Sequence, residues 1–331
     1  MSIVELDGPP ELGPLYRRAA IRALPRIGLV PGSDRRPPIE VLPDVELVLR
    51  GVAVDRGRLA EYDRVCGFRL TDRLPVTFPH VLATPLAMRL MTSPEFPYPV
   101  VGLVHVANRI TVIRPLDAGD RFDLSVRAVD LRPHERGRQF DVVAVATVDG
   151  VEVWRDVSTY LRRGRTAGSA GAAGSAGSAG GAGGAGSAGA AGAAGAAGAA
   201  GAAGSAGSAG GAGAAGSAPR DVPPPASATW KVPARVGVEY ARVSGDRNPI
   251  HTSRLGARLF GFPRPIAHGM WSKARCLAAL DGRLPDAYTV EVAFKRPILL
   301  PGTVAFAATP GETFALHDPK TGAPHLTGTI S

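Results

Sequence analysis

Ser244-Gly245-Asp246-Arg247-Asn248-Pro249-Ile250-His251 places a carboxylate and an imidazole five residues apart on a segment that is not plain helix. Pro249 lacks an N–H and disfavours helical geometry at Asn248, so the backbone must loop there. Such a loop can aim the Asp246 carboxylate, the Asn248 amide and the His251 imidazole at one point. A carboxylate and an imidazole converging on a water form a general acid/base pair. Taken singly, each residue has a plain structural reading too: Asp246 as a helix C-cap or turn residue, Asn248-Pro249 as a turn, His251 as a helix-terminal or core histidine.

The elements that must hold this loop are legible on both sides of it. Met270, Ala274, Leu277 and Ala278 form an apolar stripe at helical spacing, which predicts a buried helix over 269–280, stopped by Asp281-Gly282. Strands are expected at 288–295, 303–308, 313–317 and 325–330, broken at Pro297, Pro301-Gly302, Pro310-Gly311 and Asp318-Pro319. An earlier part of the chain repeats the plan, with a helix over 82–91 and strands over 100–113, 121–130, 140–148 and 152–161. Antiparallel strands with one central helix per half make an α+β fold, the sheet curving around the helix. Residues 16–24 read as a short basic helix broken at Pro25 and laid on the surface of the first half.

Between the halves, residues 167–218 are nearly pure Ala, Gly and Ser, with no charge, aromatic or branched aliphatic side chain. Such a stretch cannot bury enough surface to offset its ordering entropy. It is expected to be a disordered linker, and a coil of about 50 residues spans roughly 40 Å, enough for the halves to pack side by side. The expected organisation is a lead-in over 1–40, a first domain over 41–165, the linker over 166–225 and a second domain over 226–331. The 331 residues suffice for two ordinary domains. The net charge of +9 favours anionic partners, but it is mostly Arg spread along the chain, with no basic block interleaved with aromatics, so nucleic acid is not expected. Two cysteines, Cys66 and Cys276, without CxxC spacing, point to a reducing cytoplasm. The first residues are acidic and Pro-rich, unlike a signal peptide, and no apolar run reaches the ~20 residues of a membrane helix.

The halves also resemble each other in residues. Tyr62-Asp63-Arg64-Val65-Cys66-Gly67-Phe68-Arg69 and Tyr240-Ala241-Arg242-Val243-Ser244-Gly245-Asp246-Arg247 share five of eight positions. Phe78-Pro79 parallels Phe262-Pro263, and Arg114-Pro115 parallels Arg296-Pro297. Identities in the same order argue for an internal duplication. The copies differ where chemistry would sit: Phe68 stands opposite Asp246, Arg73 opposite His251, and, at the Phe-Pro register, Thr84-Pro85 opposite His268-Gly269. One site per chain is therefore expected, in the second half, with the first half as support.

The string from Tyr240 to His251, followed by Phe260-Gly261-Phe262-Pro263-Arg264-Pro265-Ile266-Ala267-His268-Gly269-Met270, resembles the MaoC-like family of type 2 (R-specific) enoyl-CoA hydratases and 3-hydroxyacyl-thioester dehydratases. The likeness covers about 226–308, with a degenerate copy at about 58–125. It implies a double hot dog, hydration of 2-enoyl thioesters or the reverse dehydration, and no metal or redox cofactor. It implies that Asp246 and His251 are the catalytic dyad, that Asn248 orients water or substrate, and that the Gly269 N–H binds the thioester oxygen. His268 reads as structural. The part after Ala308 is short for the family, so trimmed strands are expected.

The expected partner is an acyl-CoA or an acyl carrier protein thioester, with a homodimer as a further expectation; which of Asp246 and His251 is acid or base stays open. Lys295 and Arg296 read either as contacts for CoA phosphates or as surface charge, and residues 82–91 either as an acyl tunnel or as helix core. The chain lacks a Cys/His cluster of zinc spacing and a Gly-rich loop between strand and helix, in line with the absence of a cofactor. Two other functions remain open, a hot-dog thioesterase and a non-catalytic acyl-binding subunit.

Overall fold

The computed structural model describes residues 1–23, 40–164, 225–309 and 311–331. The expected linker, apart from Pro225, lies outside the described residues, as do residues 24–39 of the lead-in.

In the first half, β2 (Val45–Val52) is followed by helices α2 (Arg56–Cys66) and α3 (Phe78–Met91), then by β3 (Leu103–Val112), β4 (Phe122–His134), β5 (Gly137–Val148) and β6 (Val151–Arg163). In the second, β7 (Ala228–Val232) is followed by α4 (Val236–Ser244), two short helices α5 (Pro249–Thr252) and α6 (Arg254–Leu259), and α7 (Gly269–Ala279). Strands β8 (Tyr288–Phe294), β9 (Gly302–Thr309), β10 (Thr313–His317) and β11 (Pro324–Ile330) complete it. Ahead of both halves come β1 (Ser2–Leu6), parallel to β2, and α1 (Leu12–Ala23). The expected central helices and the four strands after each are present, with ends displaced by a few residues. The short strand and helix-like segment expected ahead of each central helix are present as β2–α2 and β7–α4, while β1 and the short helices α5 and α6 were not foreseen.

All eleven strands form one sheet in the order β1-β2-β4-β5-β6-β3-β8-β11-β10-β9-β7. Counted within its own half, each set of five runs first-third-fourth-fifth-second, and the second strands, β3 and β8, pair antiparallel at the junction. Each half is a hot dog, with its long helix against its own sheet. Burial alternates along β4, as expected of a sheet with one face on a core. The second half has the shorter strands: β10 has 5 residues where β5 has 12.

The junction joins corresponding residues. Tyr62 and Tyr240, which correspond in the duplicated string, are fully buried with ring centroids 6.1 Å apart. Thr111 and Thr289 meet hydroxyl to hydroxyl at 3.0 Å, and Arg109 pairs with Glu291 at 3.2 Å in register. One hydrophobic cluster runs through both halves, including Phe78, Leu86, Trp154, Trp271 and Leu277.

One expected correspondence is corrected. The element order places His268-Gly269, at the start of α7, opposite Thr77-Phe78 at the start of α3, and not opposite Thr84-Pro85. Phe78-Pro79 opens a helix, whereas Phe262-Pro263 lies in the loop that precedes one. The first half lacks the α5–α6 segment, so counting residues from the Phe-Pro pair overshoots by two turns.

Candidate active site

The candidate loop is built by two caps. α4 ends at Gly245 in the left-handed region (φ 80), with its N–H on the Ala241 carbonyl at 3.0 Å. A glycine tolerates that conformation without strain and turns the chain sharply, so Asp246 leaves the helix axis. Pro249 then opens α5 at a position where its missing N–H costs nothing. Asn248 is the N-cap, its Oδ1 accepting from the Ile250 N–H at 3.3 Å. The Asn248 N–H donates to Asp246 Oδ1 at 3.2 Å. The side-chain oxygen of Asn248 is thus committed to the backbone; only its NH2 group is left to meet a water or substrate.

His251 is buried on α5, and its Nδ1 lies 2.8 Å from the Ile266 carbonyl oxygen. A carbonyl only accepts, so Nδ1 carries the hydrogen and Nε2 keeps its lone pair. Burial pushes the His251 pKa below its ordinary value, against the pull of Asp246 and of the Ile266 carbonyl. The imidazole is neutral at pH 7, in the tautomer of a base.

The Asp246 side chain keeps 41 % exposure. Burial pushes its pKa up. His268, His251, the Asn248 N–H and the Tyr16 hydroxyl pull it down, and the sum lies below the ordinary carboxylate value. Asp246 is ionised at neutral pH.

His268 closes the site from behind. Its ring stacks on His251 with centroids 3.7 Å apart, and its Nε2 donates to the Asp246 backbone oxygen at 3.0 Å. Burial and then the neighbouring His251 push its pKa down to about 3. The expected structural part for His268 matches this packing and hydrogen bonding. Ligand-capable atoms of Asp246, His251 and His268 lie within 4.8 Å of one another, a spacing that a divalent cation could also bridge. In the present arrangement one nitrogen of each ring is engaged by a backbone carbonyl.

Gly269 begins α7. His268 supplies no side-chain cap, so the first-turn N–H groups keep their positive dipole end unclaimed by it. A Cβ on Gly269 would sit 3.0–3.2 Å from the ring of Phe294, which leaves room only for glycine unless that ring shifts. Lys295 and Arg296 follow Phe294 and are exposed.

Sequence reasoning missed Tyr16. The expected basic helix is present as α1 and does rest on the first half, with Arg22 donating to the Ser93 and Phe96 carbonyls. Yet Tyr16 reaches across to the second half. Its hydroxyl donates to Asp246 Oδ1 at 3.2 Å and accepts the Arg247 N–H at 3.0 Å. Burial, then Asp246, push its pKa upward, so it stays protonated and a donor. The only signal in the sequence was a tyrosine on the apolar side of a short amphipathic helix, which does not name a partner.

Residues 82–91 are mainly core: Leu86, Leu90 and Met91 are buried. At the place in the first half that corresponds to the Asp246 loop there is a cavity of about 170 Å³, walled by Phe68, Arg73, Val76, Trp154, Leu277 and Tyr288. It holds no counterpart of Asp246 or His251.

Comparison with known proteins agrees with this architecture. Residues 218–320 match the family described as MaoC like domain. The chain is 33% identical over 316 residues, 95% of both chains, to 3-hydroxyacyl-thioester dehydratase X of Mycobacterium tuberculosis. It is 37% identical over 65 residues, 41% of the relative, to 3-hydroxybutyryl-CoA dehydratase of Methylorubrum extorquens. The crystal structure of HtdX of M. tuberculosis superposes with a TM-score of 0.65 at 30% identity, over 86% of this chain and 98% of that one. A MaoC-like dehydratase from Phytophthora capsici shares the fold, with a TM-score of 0.61 at 16% identity, over 88% and 96% of the two chains. The chain belongs to the MaoC-like family, and its fold is the double hot dog.

Proposed function

We propose that this chain is a hydro-lyase that interconverts 2-enoyl thioesters and (R)-3-hydroxyacyl thioesters in fatty-acid metabolism. The observation that carries the reading is the pairing of an ionised Asp246 with a neutral His251 whose Nδ1–H is locked on the Ile266 carbonyl. Both present acceptors to one water. The relatives named as dehydratases supply the class of substrate.

In the hydration direction the thioester oxygen lies at the start of α7, near the Gly269 N–H. The water held by Asp246 and His251 attacks C3, and its proton passes to His251 Nε2. The resulting imidazolium is stabilised by the Asp246 carboxylate. Electron density moves to the thioester oxygen, where the helix N–H groups and dipole stabilise the enolate. The imidazolium then returns the proton to C2, so one water adds across the double bond. Dehydration is the same path in reverse. His251 is assigned the proton transfer because a carboxylate held below its ordinary pKa is a poor base. In this reading catalysis belongs to the second domain, 226–331, and the first, 41–165, supports it. Lys295 and Arg296 stand one and two residues beyond Phe294, where they could meet CoA phosphates. A cytoplasmic location and a homodimer belong to the same proposal. Among the described residues no helix is long and apolar enough to cross a membrane.

The test is hydration of crotonyl-CoA and of a longer 2-enoyl-CoA, followed by loss of enoyl absorbance, in the native chain and in Asp246→Asn and His251→Ala. Collapse in both variants with the fold retained supports the dyad. Activity that survives either change removes that residue from it, and release of free thiol without hydration would instead mark a thioesterase.

A further inference from the structure

A second histidine–carboxylate couple lies in the first half. His80, on α3, has its Nδ1 2.6 Å from Asp156 Oδ2. Asp156 is buried and fully anchored: Asn108 Nδ2 donates to its other oxygen at 2.8 Å, as does the Ser158 hydroxyl at 2.9 Å. Lys273 of α7, also buried, donates to Asn108 Oδ1 at 2.5 Å and to the Val290 carbonyl at 3.1 Å. Burial pushes the Asp156 carboxyl up, but His80 and Lys273 outweigh it and the net shift is downward. Asp156 is therefore the acceptor, and His80 Nδ1 carries the hydrogen. The His80 side chain keeps 19 % exposure. It is held by one nitrogen from a rigid buried base, and its other nitrogen is free to face a ligand.

The couple is next to the candidate active site. His105 stacks on His80 (6.4 Å between centroids), on Tyr160 (4.8 Å), and against Phe294 (5.0 Å). Phe294 is the ring that packs on Gly269. Tyr160 lies within electrostatic reach of both Asp156 and Asp246, which add to burial in keeping its hydroxyl protonated. A continuous row of ring contacts thus links the expected thioester position to His80. Along it, His105 Nε2 is shut off from solvent without a hydrogen-bond partner, and so is the Tyr98 hydroxyl at the far end of the row Tyr98–Phe140–Tyr160–His105. Burial pushes the His105 pKa down to about 3, so that ring is neutral and offers one donor and one acceptor.

A packing role alone does not call for this chemistry. Apolar side chains of the same volume would fill the space at no desolvation cost. A plain hydrocarbon tail would leave the unclaimed nitrogen and hydroxyl as unsatisfied as they are in the free chain.

We propose that His80, held by Asp156, and His105 form a hydrogen-bonding subsite for an oxygen carried on the acyl chain of the substrate, a hydroxyl or keto group beyond the reacting carbons. This rests on the acyl-thioester reading above. The acyl chain is assigned to this side because the subsite runs inward to buried groups, whereas a CoA or carrier-protein arm must reach solvent.

The experiment compares 2-dodecenoyl-CoA with analogues bearing one hydroxyl at successive distal carbons, as ratios of kcat/KM, in the native chain and in His80→Leu, His80→Gln and His105→Phe. Phenylalanine retains the ring stack at position 105, and glutamine retains a hydrogen-bonding terminus at position 80. The native chain is expected to prefer at least one hydroxylated analogue by about tenfold, a buried hydrogen bond's worth of discrimination. The preference should fall to near unity in His80→Leu and His105→Phe and persist in part in His80→Gln. No preference in the native chain, or one that survives both His80→Leu and His105→Phe, overturns the subsite. The saturated pair, dodecanoyl-CoA and its hydroxylated analogue, is titrated calorimetrically against the same chains. If nothing is turned over, a binding preference abolished by the variants keeps the subsite and discards the hydro-lyase reading, and equal binding discards the subsite.

Discussion

The Tyr16 hydroxyl donates to Asp246 Oδ1 at 3.2 Å across 230 residues of chain, and the Tyr16 hydroxyl oxygen accepts the Arg247 N–H at 3.0 Å. One side chain of the lead-in helix therefore fixes both the carboxylate and the backbone that carries it. Tyr16 is a positioning residue in the proposed mechanism. Tyr16→Phe is expected to lower kcat/KM by about tenfold or more, the worth of a hydrogen bond to a charged group. Tyr16 helps hold the Asp246 pKa down, so its loss should also move the acid limb of the kcat/KM profile to higher pH. An unchanged profile would show that Tyr16 serves only to dock α1.

Gly269 and Phe294 should behave as a coupled pair. Gly269→Ala keeps the N–H but places a Cβ 3.0–3.2 Å from the Phe294 ring. A displacement of the helix start is expected to lower kcat by about 100-fold, as small misplacements at reacting centres do. Phe294→Leu in the Gly269→Ala background should recover part of that loss by giving the methyl room. Additive losses in the double variant would argue against steric coupling.

The buried neutral histidines make an acid-labile fold. His268 and His105 titrate at about 3 in the folded chain, whereas an unfolded histidine titrates near about 6.5. As pH falls below about 6.5 the unfolded chain binds protons that the native chain cannot, so stability declines until about 3. Asp246 acts in the same direction at lower pH: its depressed folded pKa stabilises above the ordinary carboxylate value, and that contribution is lost as pH falls through the folded one. Thermal unfolding between pH 7 and about pH 5 should show a falling Tm, with a shallower slope in His268→Gln. Parallel slopes would place the proton uptake elsewhere.

At the junction of the halves, burial should matter more than charge. Tyr62 is fully buried against Tyr240, and its hydroxyl donates to Thr77 at 2.8 Å. Tyr62→Ala is expected to cost about 3–5 kcal/mol in chemical denaturation. Arg109→Ala, which breaks a largely exposed pair with Glu291, should cost less than about 1 kcal/mol. Comparable losses would mean that the ion pair carries the junction.

Local chemistry made much of this protein legible in one dimension. A left-handed glycine after a helix and a proline at a helix start require only neighbouring residues, so the Gly245 turn and the Asn248-Pro249 loop could be read directly, and with them Asp246 and His251. The apolar stripe of 269–280 likewise announced a buried helix, and the repeated Tyr-x-Arg-Val string announced two similar halves. Tertiary structure alone decided what depends on distance through space. It brought Tyr16 to Asp246, chose the His251 tautomer through the Ile266 carbonyl, stacked His268 behind it, and shifted the helix correspondence to Thr77-Phe78. The His80–Asp156 couple was equally hidden, because its members lie 76 residues apart on a helix and a strand. Caps and periodicity are set by bonds and neighbours along the chain, whereas pKa values, tautomers and pairings are set by burial, which exists only once the sheet has closed around its helices.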